Sequence, residues 1–302
     1  MTLEIKIPSA DFRCGYVAIV GRPNVGKSTL LNRLVGQKIS IVSRKAQTTR
    51  HRINGVLTAE NRQFIFVDTP GFQSKHKNAL NRLMNKNVTQ ALSEVDVVLL
   101  VIEAGRFTDA DKSIIPLLPK SRSVILVLNK IDRLDDKSVL LPFMAEASQL
   151  YPFDEIVPVS AERGIGDADL LSVIARYLPL AGPMFGEDEI TDRSEKFLTS
   201  EFLREKLFRR LGDELPYGMT VEIERFEVEG ELRRINAAII VDKIGHKGIV
   251  IGKGGEQLKA IASEARRDLE VLFGGKVFLE VWVKVKGGWA DDERALKSLG
   301  YD

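Results

Sequence analysis

The sequence predicts two consecutive domains: a larger α/β domain with helices on both faces of a mostly parallel sheet, then a smaller α+β domain. Two observations predict this arrangement. Short apolar runs of strand length recur between longer helical stretches, and a segment rich in proline, glycine and acidic residues, 178–190, then interrupts the pattern. A chain of 302 residues is long enough to build two separate cores. We place the first domain at residues 1–180, a linker at 181–194 and the second domain at 195–302.

Five apolar runs are predicted to be strands of the first domain. Each is nearly continuous in Val, Ile and Leu, which is typical of strands that are covered on both faces. Each also ends at a polar motif or turn, the edge where open α/β sheets bind ligands. The runs are YVAIV (16–20), QFIFVD (63–68), DVVLLVI (96–102), SVILVLN (123–129) and EIVPVS (155–160).

The second domain is predicted to follow the order helix, strand, strand, helix, helix, strand. The stretch RSEKFLTSEFLREKLFRRLG indicates a helix with Ser194 as its N-cap and Gly212 just past its end. The helix that follows the loop GKGG carries its apolar residues at the spacing of one buried face. The remaining segments are strands at 219–228 and 232–242, a short apolar helix that ends in GKGG (252–255), a helix at about 255–273 and the strand KVFLEVWVKV.

Composition excludes several classes of protein. The chain is 44% hydrophobic and 28% charged, which is typical of a soluble globular protein. Its longest apolar run, Val97–Ile102, is far shorter than a membrane span. The N-terminus lacks the blocks of a secretion signal, so we expect a cytoplasmic protein. The single cysteine, Cys14, and the three histidines show no metal-ligand spacing, and a net charge of +2 excludes a uniformly basic nucleic-acid coat.

The stretch GRPNVGKST, residues 21–29, forms a glycine-rich loop between a predicted strand and a predicted helix. Gly21 and Gly26 let the backbone fold around an anion with its N–H groups pointing inward, and the helix N-terminus adds positive charge. Lys27 brings a full charge to the outer phosphates, and Ser28 offers a hydroxyl to Mg2+. The predicted nucleotide-binding residues of this loop are Gly21, Arg22, Pro23, Asn24, Val25, Gly26, Lys27, Ser28 and Thr29.

The stretch DTPG, residues 68–71, ends the second predicted strand. Asp68 can hold Mg2+ through its water shell, and the Gly71 N–H can sense a terminal phosphate. DTPG alone is a common loop sequence. Behind the loop at 21–29 it predicts a second phosphate-sensing segment.

The stretch NKID, residues 129–132, predicts which base is bound. The carboxylate of Asp132 can accept both N–H groups on the Watson–Crick edge of guanine, whereas adenine offers no such pair of donors. Asn129 can tie this segment to the first loop, and the stem of Lys130 can lie along the base. SAERG (160–164) supplies a further backbone donor. The predicted base-binding residues are Asn129, Lys130, Asp132, Ser160 and Ala161.

These four motifs, in this order and with these gaps, resemble the Ras-like GTPase domain over residues 12–180. The resemblance implies hydrolysis of GTP to GDP, with Mg2+ as a cofactor. It also implies a threonine on a mobile loop that completes the Mg2+ shell, and SRKAQTTRHR offers Thr48 and Thr49. We take Thr49 and keep Thr48 as the alternative, so the expected metal ligands are Ser28, Thr49 and Asp68.

One residue departs from the pattern of many relatives, which carry after the DxxG motif a glutamine that orients the attacking water. Here that residue is Phe72, which can neither donate to water nor accept from it. Asn24 resembles the asparagine that lets some relatives coordinate K+ near the transferred phosphate. We therefore expect slow intrinsic turnover stimulated by K+, with Lys27, Asn24 and Gly71 as the catalytic residues.

The stretch GIVIGKGGEQLKAI, residues 248–261, carries a second glycine-rich loop. Glycines allow close approach of an RNA backbone, and Lys253 lies inside the loop. A tight turn between two helices also needs glycine, but the order of elements and the lysine favour RNA binding. The arrangement resembles a type II KH domain, which implies binding of about four nucleotides. The expected RNA-binding residues are Lys247, Ile249, Ile251, Gly252, Lys253, Gly254, Gly255 and Lys259.

The whole chain resembles the bacterial Era GTPases of the TrmE-Era-like family. A Ras-like GTPase domain precedes a KH domain, and QTTRHR, ITDRSEKF, ELPYGMTVEIERF and WVKVKGGWADDERALKSLGY follow in that family's order. The resemblance implies a factor in 30S ribosomal subunit maturation that binds 16S ribosomal RNA near its 3′ end. It also implies a peripheral contact with the inner face of the cell membrane. We expect a monomer.

Such a protein is expected to act as a switch. Segments 40–52 and 71–90 should order on the terminal phosphate of GTP and release it on hydrolysis. Their basic residues would contact the KH domain, RNA or ribosome in one state only; they are Arg44, Lys45, Arg50, Arg52, Lys75 and Lys77.

Two other classes of function stay open from the sequence. A cell-cycle or membrane-associated signalling switch would use the C-terminal domain to bind a protein partner. A metabolic GTP-dependent enzyme would need catalytic residues for a second substrate, and the sequence shows no such set.

Overall fold

The computed structural model describes residues 11–45, 48–72, 79–212, 215–292, 294 and 296. It contains two compact units. Unit 1 comprises the described residues within Met1–Gln37, Arg52–Gln73 and Lys86–Asp192. Unit 2 comprises those within Lys38–His51, Ser74–Asn85 and Arg193–Asp302.

Unit 1 is an α/β unit built on a six-stranded sheet in the order β2-β3-β1-β4-β5-β6. All neighbouring strands are parallel except the antiparallel pair β2 and β3. The mostly parallel sheet predicted from the sequence is therefore confirmed. The strands are β1 (Arg13–Val20), β2 (Ile53–Ala59), β3 (Arg62–Asp68), β4 (Val97–Glu103), β5 (Ser123–Asn129) and β6 (Glu155–Pro158).

The central strands of this sheet are covered on both faces, because every residue of Val97–Ile102 is fully buried. One face packs against the second half of α2 and against α4. Five strands coincide with the five predicted runs, but the sequence prediction missed the edge strand β2. The helices are α1 (Lys27–Val35), α2 (Ala79–Glu94), α3 (Asp109–Lys112), α4 (Leu140–Leu150) and α5 (Asp167–Tyr177); α2 contributes residues to both units.

The segment after α5 continues along the sheet of unit 1. Leu180 forms a bridge with Arg13, and the backbone N–H of Val56 in β2 donates to the carbonyl of Ile190 at 2.8 Å. The buried side chain of Gln63 accepts hydrogen bonds from the backbone N–H groups of Met184 and Phe185. Residues up to 192 are therefore ordered against strands of unit 1 rather than extended into solvent.

Unit 2 contains the predicted order of elements, with a three-stranded sheet β7-β8-β9. Strands β7 and β8 are antiparallel, and β8 and β9 are parallel. Ser194 caps α6 as predicted, since its hydroxyl accepts from the Phe197 N–H at 3.2 Å. The elements are α6 (Glu195–Arg210), β7 (Met219–Glu229), β8 (Leu232–Val241), α7 (Ile244–Ile251), α8 (Glu256–Phe273) and β9 (Lys276–Val285).

The described residues of 38–51 belong to unit 2, although more than a hundred residues separate them from α6 in the sequence. Ile41 is fully buried in the apolar core of the unit. Lys38 Nζ lies 2.5 Å from the carboxylate of Glu205 on α6 and 2.9 Å from that of Asp268 on α8. The segment is therefore held both by apolar burial and by ion pairs.

Hydrogen bonds from arginine side chains to backbone carbonyls also join this segment to the rest of unit 2. Arg204 of α6 donates to the carbonyl of Thr48. Arg50, only 1% exposed, donates to the carbonyl of Met219 at 2.9 Å and to that of Tyr217 at 3.2 Å. These contacts bury charged groups on α6 that an isolated amphipathic helix would expose.

Among the residues that the structure describes, no helix is long and apolar enough to cross a membrane.

Candidate functional site

The nine residues from Gly21 to Thr29 form the turn between β1 and the first turn of α1, as predicted. Two of its glycines have no room for a side chain. A Cβ at Gly21 would lie 2.4 Å from the carbonyl oxygen of Val101, and a Cβ at Gly26 would lie 2.3 Å from Asn129 Nδ2. Gly26 also has a φ of 103°, which disfavours other residues. The loop backbone therefore depends on these two glycines.

Lys27 lies beneath this loop and is 7% exposed. Its Nζ donates to the carbonyl oxygens of Gly21 at 3.0 Å and Arg22 at 3.1 Å. Burial lowers the pKa of Lys27 to about 8, and the nearby carboxylate of Asp68 opposes the shift only in part. A phosphate group beside Nζ would supply the missing negative charge, so the site fits a polyanion.

Ser28 and Asp68 meet because β1 and β3 are neighbouring parallel strands with the N-terminus of α1 at their end. Ser28 Oγ donates to Asp68 Oδ2 at 2.7 Å. A hydroxyl and a carboxylate this close are oxygen ligands of the kind that Mg2+ prefers. These two predicted metal ligands therefore fit a magnesium ion that also binds phosphate oxygens.

The DTPG segment packs directly against the first loop. Thr69 Oγ1 donates to the carbonyl of Ile19 at 2.9 Å. A Cβ at Gly71 would lie 2.9 Å from Pro23 Cγ, so only glycine fits at this contact. The ring of Phe72 packs against the apolar core of unit 1. An apolar ring in this position offers no group that could orient a water molecule.

Asn129, at the end of β5, joins the motifs. Its Nδ2 donates to the carbonyl of Val25 at 2.8 Å, and its Oδ1 accepts from the Ala161 N–H at 3.0 Å. The side chain is 2% exposed, so both bonds are shielded from water. The predicted tie between NKID and the first loop is present, and it extends to the SAERG loop.

Asp132 and Lys130 flank the space beside this tie. Ser160 Oγ donates to Asp132 Oδ1 at 2.5 Å, and this hydrogen bond holds the pKa of Asp132 below its usual value. The carboxylate therefore stays ionised and able to accept hydrogen bonds from a base. Lys130 has a φ of 66°, and its Nζ donates to the carbonyl of Asn24 at 2.7 Å.

The two candidate threonines lie in unit 2. The hydroxyl of Thr48 is 2.7 Å from Ser43 Oγ and donates to the carbonyl of Lys45 at 2.7 Å. Thr49 is 7% exposed. Thr49 stays the predicted metal ligand, with Thr48 as the alternative.

Sequence reasoning missed two acidic residues beside the first loop. Glu103 ends β4, and its carboxylate lies 3.2 Å from the guanidinium of Arg22 and 3.4 Å from Lys130 Nζ. Asp111 is fully buried and lies 3.1 Å from Nε of Arg22. The position of Glu103 at the end of a parallel strand was the one available signal.

The GKGG loop connects α7 and α8 in unit 2. Gly252, Gly254 and Gly255 all have positive φ, and a Cβ at Gly252 would lie 2.7 Å from Cβ of Gln257. Lys253 is exposed, so its charge is available to a ligand. Ile249 is 50% exposed.

The other predicted RNA-binding side chains differ in exposure. Lys259 on α8 is exposed and Lys247 on α7 is half-buried. Ile251 packs against the core of unit 2, so of the two predicted apolar contacts Ile249 presents the more accessible side chain. A cleft of about 310 Å3 adjoins the loop and is lined by Arg210, Leu211, Gly212, Ile249, Gly252, Lys253, Glu256 and Gln257.

Comparison with known proteins finds a family match in each part of the chain that the sequence predicts to be a domain. The family of 50S ribosome-binding GTPases matches residues 16–130, and the KH domain family matches residues 214–290. GTPase Era of Nitrosomonas eutropha is 59% identical, with 97% of this chain and 99% of that protein covered. GTPase Era of Chromobacterium violaceum is 57% identical, with 96% and 98% covered.

Two solved structures are similar over nearly the whole chain, each at 40% identity and each covering 96% of this chain and 99% of the other. One is Era in complex with MgGDPNP and nucleotides 1506–1542 of 16S ribosomal RNA, with a TM-score of 0.92. The other is an Aquifex aeolicus Era variant bound to GDP and AlF4−, with a TM-score of 0.93.

The buried position of Lys27 predicts a specific dependence of stability on pH. Its folded pKa of about 8 lies below the ordinary 10.5, so the unfolded chain binds more protons between these values and stability rises with pH. Without nucleotide, the free energy of unfolding should rise by roughly 2 kcal/mol from pH 7 to pH 9.5 through this residue. Urea unfolding of the wild type and of Lys27→Met at both pH values measures the difference. An equal change in both proteins would contradict the prediction.

Proposed function

The chain belongs to the Era family of GTPases, and on this basis we propose a GTP-hydrolysing switch that binds 16S ribosomal RNA near its 3′ end and acts in 30S subunit assembly. The observation that carries the proposal is the coexistence of two sites. A loop with a buried lysine is tied to a guanine-recognition motif in unit 1, and a glycine-rich KH loop with an exposed lysine lies in unit 2. The relative bound to MgGDPNP and 16S ribosomal RNA supports this pairing.

In the proposed site, the chain's own residues bind and orient GTP. Backbone N–H groups of the loop from Gly21 to Thr29 surround the phosphates, and Lys27 neutralises their outer charge. Asp132 accepts from the guanine edge, while Lys130 covers the base and Ala161 donates to its carbonyl. Ser28, Asp68 and Thr49 would hold Mg2+, which neutralises charge that develops between the last two phosphates.

Hydrolysis in this site lacks the usual glutamine, because Phe72 packs against the core of unit 1. We propose that Gly71 senses the terminal phosphate through its N–H and that Asn24 supplies a K+ ligand. Asn24 is exposed and has a φ of 66° in the loop, and its side-chain oxygen is the proposed ligand. A bound K+ would add positive charge where negative charge develops.

The RNA site is proposed at the GKGG loop and its flanking helices. Glycine backbone from Gly252 to Gly255 would contact phosphates, with Lys247, Lys253 and Lys259 adding charge. Ile249 would contact a base, and Ile251 would support it from the core. The 30S subunit is the proposed larger partner, and the chain acts as a monomer. The peripheral contact with the membrane stays a prediction of the family resemblance.

Communication between the nucleotide and RNA is proposed to run through residues 40–52. Lys45 donates to the carbonyls of Leu211 and Gly212 at the end of α6, and Arg50 donates to Met219 and Tyr217. These contacts support a role for both residues at the KH domain. Arg52 instead pairs with Glu94 at 2.6 Å within unit 1, while Lys75 and Lys77 lie outside the described residues.

Guanine specificity is tested by removal of the Asp132 carboxylate. Wild-type protein should prefer GDP over ADP by roughly 10^4-fold or more, and Asp132→Ala should lose most of this preference because a charged acceptor for the guanine edge is gone. Titration with fluorescent GDP and ADP measures both affinities. Asp136→Ala is the control, since Asp136 is exposed and bonds only to Ser138 among the described contacts. An unchanged preference in Asp132→Ala would contradict the assignment.

RNA binding and its dependence on nucleotide are tested with a labelled oligonucleotide that matches the 3′ end of 16S ribosomal RNA. Affinity should be about tenfold or more higher with GDPNP than with GDP, at one fixed salt concentration. Equal affinity would leave RNA binding but refute the switch. Absence of binding in both states would refute the RNA function and favour a protein partner for the C-terminal domain.

The same assay locates the RNA site. Lys253→Asp combined with Gly254→Asp should lower RNA affinity by about tenfold or more while GDP binding is retained, because phosphates then meet carboxylates. Aspartate tolerates the φ of 59° at Gly254, where a Cβ meets no atom within 4 Å. The matched control is Lys286→Asp with Gly287→Asp, which changes the same residue types after β9. Equal losses in both double variants would argue against the loop.

The K+ proposal predicts a cation effect on turnover. At equal ionic strength, the rate of GTP hydrolysis should be at least about tenfold higher in K+ than in Na+. Asn24→Gly should lose this difference, since glycine adopts the φ of 66° but provides no side-chain oxygen. Steady-state phosphate release in both salts measures the ratio. The same ratio in both proteins would refute the role of Asn24.

A further inference from the structure

Four charged side chains form a connected set beside the nucleotide loop. Arg22 from the loop lies 3.2 Å from the Glu103 carboxylate and 3.1 Å from that of Asp111. Lys130 from NKID lies 3.4 Å from the same oxygen of Glu103. The carboxylate of Glu103 thus pairs with cationic side chains from two loops that lie more than a hundred residues apart in the sequence.

The strand register places Glu103 at this position. Glu103, the last residue of β4, pairs with Asn129, the last residue of β5, and the Ala104 N–H donates to the Asn129 carbonyl at 2.8 Å. A carboxylate at the end of β4 therefore stands beside the residue that follows Asn129. It is 27% exposed, so its interactions with the two cations are only partly screened by water.

Each of the two loops that meet at Glu103 contains one residue whose backbone angles lie in the left-handed region. Asn24 and Lys130 each have a φ of 66°, and the Lys130 ammonium donates to the Asn24 carbonyl at 2.7 Å. Such conformations are disfavoured for residues other than glycine and persist when surrounding contacts fix them. An ammonium held by a carboxylate on its other side is one such contact.

The charge state of Glu103 agrees with this geometry. Burial opposes its ionisation, but the charges of Lys130 and Arg22 outweigh burial and lower the pKa of Glu103. The carboxylate is therefore negative throughout the neutral range. Arg22 is oriented toward it by Asp111, which is itself held by the N–H and hydroxyl of Thr108.

We propose that Glu103 is a positioning residue for guanine nucleotides, which holds Lys130 and Arg22 so that the turn at Asn24 and the base-binding segment keep their relative geometry. The inference rests on the proposed GTPase site. In the proposed site, Glu103 contacts neither base nor phosphate and acts chiefly through Lys130. Its loss should therefore speed nucleotide release. In Na+, where the proposed K+ ligand Asn24 has no role, the chemical step should stay largely unchanged.

The test compares the full-length wild type with Glu103→Gln, which keeps the shape but removes the charge. Release of a fluorescent GDP analogue should be about tenfold faster in the variant, with KM for GTP raised by a similar factor and, in Na+, kcat within about twofold. The melting temperature without nucleotide should change by less than about 3 °C. The control Glu155→Gln removes a carboxylate of similar exposure, which pairs with Arg176 at the first residue of β6, and should behave as the wild type. An unchanged release rate in Glu103→Gln would overturn the proposal.

Two further variants separate positioning from general stabilisation. Glu103→Asp keeps the charge and should release GDP at least about threefold more slowly than Glu103→Gln. In a Lys130→Met background, Glu103→Gln should change release by less than about twofold, because its effect passes through the ammonium. Equal rates for Asp and Gln, or a full effect without Lys130, would overturn the proposal. If the wild type itself fails to bind guanine nucleotides, the proposed function fails instead.

Discussion

The nucleotide site depends on the side chain of Asn129, which joins three loops by two buried hydrogen bonds. Its Nδ2 donates to the Val25 carbonyl and its Oδ1 accepts from the Ala161 N–H. The approach is close enough that Gly26 has no room for a Cβ. Because β1 and β5 lie in one mostly parallel sheet, the loops after these strands lie at the same edge, and one amide fixes their spacing. Phosphate and base recognition therefore share one rigid support.

The features that the structure places where sequence reasoning predicted them are those that follow from local backbone geometry. Motif spacing alone predicts the positions of the glycines of the two loops, of Lys27 and Lys253, and of the strand ends. It also predicts that Ser194 caps α6. Strand β2 was missed because its pattern INGVLTA contains glycine and is only partly buried as an edge strand. Glu103 was missed because its meaning depends on strand register between β4 and β5, which a single sequence does not reveal.

The burial of charged side chains on α6 could not be predicted from the sequence either. The apolar spacing of Leu203 and Leu207 predicts one buried face, yet Glu201, Arg204 and Glu205 are at most 2% exposed. They are covered in part by residues 38–51, whose separation in sequence exceeds a hundred residues. A buried ion pair contributes little net stability, because desolvation offsets most of the attraction, but removal of one partner typically costs about 3 to 5 kcal/mol. Such pairs therefore contribute more to the selection of the segment that packs against α6 than to the free energy that holds it there.

The pairing pattern on α6 suits a segment that changes its position. Arg204 pairs with Glu201 on the same helix, and Lys206 pairs with Glu205 and with Asp268 of α8. Departure of residues 38–51 would therefore leave each of these charges with a partner in the KH domain. An interface in which one side satisfies its own charges separates at lower free energy than one in which each charge depends on the other side. This property is what a segment needs if it is to order on GTP and also contact the KH domain, because both states must be accessible within a few kcal/mol.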